Sequence, residues 1–507
     1  MYAAFPPYEF HFLIWIALVP VFSLLLTAGY MRAFLLTLLM GGVFGALHVS
    51  WLEAVEGFPV AGYAVFIIYC SLFYGLFGLL FSFVNRRTSV PMIFAAPVLW
   101  TAVEYLRSNF FFLAVPWGLL GHSQYTNIPL IQVASYTSVY GVSFLIVLVN
   151  FAVSEIILRL FGKKRKLAAS PSPVWMAPAI AVVILAVFLW GYFRVNMSDE
   201  NDKSILTVSM IQPNIKQNEK WNPEFRDNIL TLYRKMTLEA AHNHPDLFIW
   251  PESSVPGYVE RDMVIFSTVK DLLKKIQKPL LLSGDADIRY EKDGNLIEKL
   301  TNNVFLFDQD ARLKAIYAKM RLLPFAEYVP YEGKIQWPLG WINPGSKYLA
   351  GDKPQIFKLP EANFGVTICW ENIFPGLVRR SVLAGAQFIV NLSNEAWFGK
   401  TVASRQFLSL SVFRAVENGV AVVRATNTGI SGIIDPFGRI YAVLTDEKGD
   451  EVMIQGILTA SVPPPLGETF YTRHGDVFAG IIAAIAALLI LTAAFPIRLR
   501  MTMRISP

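Results

Sequence analysis

Apolar residues run in long, nearly unbroken blocks through the first 195 positions, and one more block closes the chain. Blocks near 11–28, 33–50, 61–84, 89–106, 140–160, 174–193 and 476–496 are each long enough to cross the hydrocarbon core of a bilayer as a helix. The block at 61–84 holds no charged residue at all. A buried helix of a soluble protein can mimic one such block but not seven, so the pattern predicts a polytopic membrane protein. From about 199 to 473 the pattern changes. Short β-rich runs appear at 206–212, 247–250, 280–283, 304–307, 365–369, 388–392 and 420–425, with helical stretches such as 223–241 and 404–418 between some of them. This alternation over about 275 residues predicts a single α/β domain. The expected organisation is a membrane domain over 1–197 with about six transmembrane helices, an extramembrane α/β domain over 198–473, and a final transmembrane helix with a basic tail over 474–507.

Composition agrees: 54% of the residues are hydrophobic and 16% charged. Charge placement adds an orientation. Arg32, Arg86, Arg87, the Lys163-Lys-Arg-Lys166 cluster, Arg498, Arg500 and Arg504 alternate with loops that hold Glu53 and Glu56 or only Arg107. The positive-inside rule makes the basic loops cytoplasmic. The α/β domain and the amino terminus then lie outside and the carboxyl terminus inside. These clusters account for the net charge of +6, so no nucleic-acid partner is expected. The first block lacks the basic leader and small-residue cleavage site of a signal peptide. No internal repeat or low-complexity tract is present, and Ser170-Pro-Ser-Pro173 reads as a short linker. Six histidines and two cysteines show no ligand spacing, so neither metal nor cofactor is expected.

Cys369 is the main candidate for chemistry. It ends the strand-like run Phe364-Gly-Val-Thr-Ile-Cys369, followed at once by Trp370 and Glu371. The other cysteine, Cys70, lies inside an apolar block, so the two are not expected to pair. A lone cysteine at a strand end is more often a small buried hydrophobe than a nucleophile, and its companions decide the case. Glu252 follows the strand-like run Leu247-Phe-Ile-Trp-Pro251 in Trp250-Pro-Glu-Ser253, and Lys319, in Tyr317-Ala-Lys-Met-Arg321, comes after the apolar run Asn303-Val-Phe-Leu-Phe307. Each of the three can stand at the carboxyl end of a strand, where open α/β sheets build their sites. Singly, Glu252 reads as a surface carboxylate and Lys319 as a solvated charge.

Together, in the order Glu252, Lys319, Cys369, they resemble the triad of the nitrilase superfamily. Further strings narrow the likeness: Met210-Ile-Gln-Pro-Asn-Ile-Lys-Gln-Asn-Glu-Lys-Trp221, Leu323-Pro-Phe-Ala-Glu-Tyr-Val-Pro330, Asn391-Leu-Ser-Asn-Glu-Ala-Trp-Phe-Gly399 and Arg424-Ala-Thr-Asn-Thr-Gly429. In the membrane half, Phe5-Pro-Pro-Tyr8 and Pro116-Trp-Gly-Leu-Leu-Gly-His-Ser-Gln124 join them. Over nearly its whole length the chain resembles the apolipoprotein N-acyltransferase family. There are departures. Family members usually have eight spans, with a helix before the Phe-Pro-Pro-Tyr box, so either that helix is absent here or the natural start lies upstream of Met1. Trp370 stands where tyrosine is common. Ala403-Ser404 and Gln406-Phe407 replace the usual Gly-Pro and Gln-His pairs.

The resemblance implies a polytopic helical membrane domain carrying a nitrilase-like αββα sandwich that faces the periplasm of a bacterial inner membrane. It also implies a ping-pong acyl transfer. The sn-1 acyl chain of a phospholipid moves to Cys369 as a thioester, and the α-amine of an S-diacylglyceryl-cysteine apolipoprotein then takes it. Glu252 is the expected base, and Lys319 and the N–H of Trp370 the expected oxyanion donors. Glu327 and Glu371 are expected to support the site rather than merely pair with local arginine or lysine. Asn394 and Glu395 rank lower, as loop-capping residues. Trp221, Phe325, Tyr328, Trp337, Trp341, Trp397 and Phe398 read mostly as core. Trp221 and the 336–341 loop are the exceptions, expected as lids touching the bilayer. Glu104 is expected to pair with Arg107 one turn on, or to serve lipid headgroups. His48 and His122 read as buried hydrogen-bonding residues. The protein is expected to be a monomer in the lipid bilayer. Two other readings stand beside this one: a membrane-tethered amidase acting on a small amide, and a transporter with a regulatory outer domain. Sparse ionisable residues within the spans argue against the second.

Overall fold

The computed structural model describes residues 1–161, 172–197, 204–220, 222–259, 261–292, 295–338 and 348–495. Trp221, Trp341, the Lys163–Lys166 cluster, Arg498, Arg500 and Arg504 lie outside the described residues. Among those described, five helices are long and apolar enough to cross a membrane: Tyr30–His48, Val60–Arg87, Ala134–Phe161, Met176–Asn196 and Val477–Ala494. The other two expected spans take different forms. The block near 89–106 is a helix of 17 residues, Met92–Ser108, which begins only after Pro91. The block near 11–28 is broken into a 3-10 turn, His11–Trp15, and a short helix, Val19–Leu25. Pro20 explains the break: it has no N–H to give, and its ring clashes with the carbonyl four residues back.

Helix Ala134–Phe161 is interrupted at Ser138, whose φ of 56° lies in the left-handed region. The interruption is capped from the other half of the molecule. The Glu417 carboxylate accepts from the Ser138 hydroxyl at 2.6 Å and from the Val139 N–H at 3.2 Å, which satisfies donors a helix start leaves open. Glu417 is itself held by Arg414 at 2.9 Å. The expected Glu104–Arg107 pair is absent from the ion pairs among the described residues. Instead Glu104 Oε1 accepts from the Trp100 indole at 3.0 Å and the Leu120 N–H at 2.9 Å, and Arg107 donates to the Trp117 carbonyl at 2.9 Å. Both side chains turn toward the 117–120 segment, which offers each a partner of its own.

Among the described residues the α/β half contains two six-stranded sheets. The strands are β1 Leu206–Gln212, β2 Leu247–Ile249, β3 Leu280–Lys292, β4 Asn295–Phe307, β5 Leu313–Ala318, β6 Ile356–Lys358, β7 Asn363–Ile368, β8 Phe388–Ser393, β9 Ala421–Thr426, β10 Gly432–Ile434, β11 Ile440–Val443 and β12 Gly456–Val462. One sheet has the order β12-β1-β2-β3-β4-β5, the other β11-β10-β9-β8-β7-β6. Each has three parallel strands at its centre, β1-β2-β3 and β7-β8-β9, bordered by antiparallel neighbours.

Strand periodicity explains the layering. Along β8, Phe388, Val390 and Leu392 face the other sheet and meet Val208, Met210 and Ile249 in a shared core. Ile389 faces the opposite way. On the outer face of the first sheet lie helices Arg226–Ala240 and Met263–Ile276, joined through Tyr233, Trp250 and Leu272. Behind the second sheet lies helix Ala403–Asn418. Its Leu408, Val412 and Val416 fall in one continuous apolar core with Ile389, Val422 and membrane-helix residues such as Val139 and Val142. The result is an αββα sandwich seated on the membrane helices.

A second seam runs at the end of helix Tyr30–His48. Gln406 Oε1 accepts from the indoles of Trp51 at 3.0 Å and Trp117 at 2.9 Å, and its Nε2 donates to the His48 carbonyl at 2.8 Å.

Candidate active site

The parallel strands β2 and β7 and the edge strand β5 carry the candidate residues at their carboxyl ends. Glu252 lies just beyond β2, Lys319 just beyond β5 and Cys369 just beyond β7. Two of the three turns are conformationally unusual: Cys369 has φ 55° and Ser253, after Glu252, φ 48°. Such left-handed geometry in non-glycine residues costs of order 1 kcal/mol or more and persists only where the surroundings impose it.

Glu252 is buried, and both its oxygens are held. Oε1 accepts from Asn302 Nδ2 at 3.0 Å, and Oε2 from the Asn394 N–H at 2.8 Å. Lys319 Nζ stands 3.6 Å from Glu252 Oε1 and 2.6 Å from Glu327 Oε1. Burial works against the Lys319 ammonium, but the nearby Glu327, Glu252 and Cys369 outweigh it and raise its pKa above the ordinary lysine value. The amine is therefore a fixed positive charge. The Cys369 thiol is pushed up, first by burial and then by Glu252, with Lys319 opposing. At neutral pH it rests as the thiol and needs a base to become a nucleophile.

Glu371 is fully buried and accepts four hydrogen bonds. Oε1 takes the N–H groups of Met320 at 2.7 Å and Arg321 at 2.8 Å; Oε2 takes the Ile368 N–H and the Tyr317 hydroxyl, each at 2.8 Å. It thereby ties the main chain after Lys319 to the main chain before Cys369. Burial pushes this carboxyl up to about 7, against the pull of its donors. Glu327 also accepts from the Leu323 N–H at 2.6 Å. Trp370 donates its indole N–H to the Arg321 carbonyl at 2.6 Å, a second tie between the same two segments.

The Asn394 side chain bonds Gln217 at 3.0 Å and Asn427 at 2.9 Å. Glu395 forms a buried pair with Arg424 at 2.7 Å. Arg424 in turn holds Asn391, which reaches the Cys369 carbonyl at 3.2 Å. The aromatic candidates divide. Phe325, with φ 65°, packs on Trp337 at 5.0 Å between ring centres in the loop that also carries Tyr328. Trp397 is partly exposed. Phe398 packs against Trp51 at 4.9 Å and Phe407 at 5.8 Å, so it belongs to the domain seam.

Sequence reading missed three residues at this site: Lys220, Asp285 and Asn302. Lys220, buried beside the quoted Trp221, donates to the Glu252 carbonyl oxygen at 2.8 Å. Asp285 and Asn302 lie on parts of β3 and β4 beyond the two short runs that the pattern revealed. Among the described residues no group of three or more His, Cys, Asp or Glu side chains could hold a metal ion.

Residues 1–152 match the family model for the apolipoprotein N-acyltransferase N-terminal domain, and 207–464 that for carbon-nitrogen hydrolase. A curated apolipoprotein N-acyltransferase from Geobacter metallireducens is 35% identical over 80% of this chain and 74% of its own. One from Bradyrhizobium diazoefficiens is 30% identical over 87% and 79%. One from Chlorobaculum tepidum is 27% identical over 95% and 92%. Among solved structures, an amidase mutant from Nesterenkonia sp. AN1 aligns at TM-score 0.40 and 17% identity, covering 54% of this chain and 94% of the amidase. With membrane helices and a two-sheet α/β domain both accounted for, the chain belongs to the apolipoprotein N-acyltransferase family, whose catalytic half is of the carbon-nitrogen hydrolase type.

Proposed function

We propose that this acyltransferase works through a covalent Cys369 thioester, with a membrane phospholipid as donor and the α-amine of a diacylglyceryl apolipoprotein as acceptor. The observation that carries the reading is the meeting of Glu252 and Lys319, 3.6 Å apart and both buried, beside a thiol that rests protonated. In the first half-reaction Glu252 takes the thiol proton and the sulfur attacks the ester carbonyl carbon. The Lys319 ammonium and the Trp370 N–H receive the developing oxyanion. The ester C–O bond then breaks, and Glu252 returns the proton to the leaving glycerol oxygen. In the second half-reaction the amine nitrogen attacks the thioester carbonyl, the C–S bond breaks, and the sulfur recovers a proton through Glu252. Asn302 and the Asn394 N–H hold the carboxylate in place throughout.

Geometry also supports an outward-facing domain. Arg32 lies at the start of helix Tyr30–His48, whose far end meets Gln406. Arg86 and Arg87 end helix Val60–Arg87. Because the two helices follow one another across a short connection, their arginines share the side away from the α/β domain, the cytoplasmic side under the positive-inside rule.

The test is mass spectrometry after incubation with phospholipid alone. An acyl adduct should appear on the peptide containing Cys369, vanish in Cys369→Ala and persist in Cys70→Ala. An undiminished adduct in Cys369→Ala would overturn the mechanism.

A further inference from the structure

The two half-reactions do not handle the same number of protons. In the first, one proton leaves sulfur and one reaches the glycerol oxygen, so a single carboxylate suffices. In the second, the acceptor's α-amine enters largely as an ammonium, since its ordinary pKa is about 7.7–8.0. Of its three N–H protons the amide keeps one and the thiol recovers one. One is left over, and Glu252 cannot take it while it carries the proton bound for sulfur.

Two buried acceptor atoms next to Glu252 are unused. Asp285 and Asn302 are directly paired across the antiparallel β3–β4 ladder, so their side chains stand on the same face of the sheet. Asn302 Nδ2 is already on Glu252 Oε1 at 3.0 Å, which makes that face the one toward the site. Asp285 Oδ2 accepts from the Tyr348 hydroxyl at 2.9 Å, and the Tyr348 N–H donates to the Glu327 carbonyl at 3.0 Å. Asp285 Oδ1 and Asn302 Oδ1 have no hydrogen-bond partner among the described residues, although the two residues are only 7% and 5% exposed. Buried acceptors left open this way are destabilising, and a donor-rich ligand would relieve that.

We propose that Asp285 and Asn302 form the subsite for the acceptor's α-ammonium, and that Asp285 receives its surplus proton during transfer. The inference rests on the thioester reading. An ammonium has three donors and no acceptor, which matches Asp285 Oδ1, Asn302 Oδ1 and the Glu252 carboxylate. Asp285 first takes one N–H proton and frees the nitrogen lone pair; as the nitrogen then attacks the thioester carbon and the C–S bond breaks, a second N–H proton passes to Glu252 and on to sulfur, and Asp285 releases its own to water. Burial, with Glu252 and Glu327 close by, pushes the Asp285 carboxyl up to about 6, which suits a group that accepts and releases a proton near neutrality. Two cations beside the site oppose a further positive charge. Lys319 is already matched by Glu327 at 2.6 Å. Lys220 is pushed down by its burial to about 7, so it can shed its charge as the ammonium arrives.

The test uses the full-length enzyme in detergent or vesicles and compares wild type with the isosteric Asp285→Asn. Acyl-adduct formation from phospholipid is followed by mass, and transfer to a diacylglyceryl peptide bearing a free α-amine is then timed in single turnover. Asp285→Asn should lower the ratio of transfer rate to acylation rate at least tenfold. Release of the acyl group by hydroxylamine, a nucleophile that is neutral at the assay pH, should keep its wild-type ratio to acylation. An unchanged transfer ratio would overturn the inference, as would a parallel fall in acylation, peptide transfer and hydroxylamine release. Failure of wild type itself to form the adduct would instead overturn the thioester reading.

Discussion

Replacing Glu371 by glutamine tests whether the latch between the Lys319 and Cys369 segments sets the site. The carboxylate accepts three main-chain N–H groups and one hydroxyl, all between 2.7 and 2.8 Å. An amide of the same shape offers one oxygen. If that oxygen keeps Met320 and Arg321, the new NH2 faces the Ile368 N–H, donor against donor, while the Tyr317 hydroxyl can turn. One buried N–H is then orphaned, at about 1–3 kcal/mol, and above about pH 7, where the wild-type carboxyl is ionised, the retained bonds lose their charge assistance. The sum is about 3–5 kcal/mol, expected as a fall of several degrees in melting temperature, the shift per kcal/mol shrinking as the cooperative unit grows. Catalysis should suffer in both half-reactions alike, because the main chain on either side of the catalytic pair shifts together. A displacement near 1 Å is worth about a hundredfold in rate. Acyl-adduct formation and transfer, each measured in single turnover, should therefore drop by a common factor. A Glu371→Gln enzyme that acylates at the wild-type rate, or that melts within a degree of wild type, would refute the reasoning.

Three further outcomes are expected. Lys319→Arg should acylate at least a hundredfold more slowly than wild type in single turnover, because a guanidinium cannot enter a buried site built around Nζ contacts of 2.6 and 3.6 Å. Gln406→Ala should orphan the Trp51 and Trp117 indoles and the His48 carbonyl, at about 1–3 kcal/mol each, seen as a melting-temperature drop of several degrees or more. Since burial and Glu252 raise the Cys369 pKa, thiolate appears only as pH climbs past the ordinary value. The ultraviolet difference between wild type and Cys369→Ala should show almost no thiolate at about pH 8.5, where a free cysteine is half ionised.

Much of the architecture was legible because full burial leaves continuous apolar runs in the sequence. The apolar blocks and the central strands β1, β2, β7, β8 and β9 are near-continuous runs of the kind that doubly covered parallel strands require. The bordering strands β5, β6, β10, β11 and β12 were not read. Strand β12 is only partly buried along most of its length, and β6 and β10 are three residues each, so neither leaves a clear period. At the site, Glu252 and Cys369 were visible because each follows an apolar run, and Lys319 only through its order between them, since the strand it follows, β5, is largely exposed. Asp285 and Asn302 were not: they meet only through the register of a long hairpin, and register is a property of pairing that no single strand reveals. Glu104 and Arg107 misled because helical spacing predicted a pair, whereas a distant turn at 117–120 supplied better partners.

Helix Ala403–Asn418 is buried along its length except at Arg405, with one side against the second sheet and the other against the membrane helices, and its Glu417 caps the break at Ser138. Beyond Arg405 such a helix has no face prepared for water. Excising the α/β half as a soluble enzyme would therefore bare Leu408, Val412 and Val416 and strand the Arg414–Glu417 pair without its hydroxyl and N–H donors. The same join limits how the enzyme can admit its substrates. The two halves cannot swing apart on a hinge without tearing a shared core, so on the thioester reading proposed above, access to Cys369 would have to come from local movement of surface loops while the body of the protein stays still.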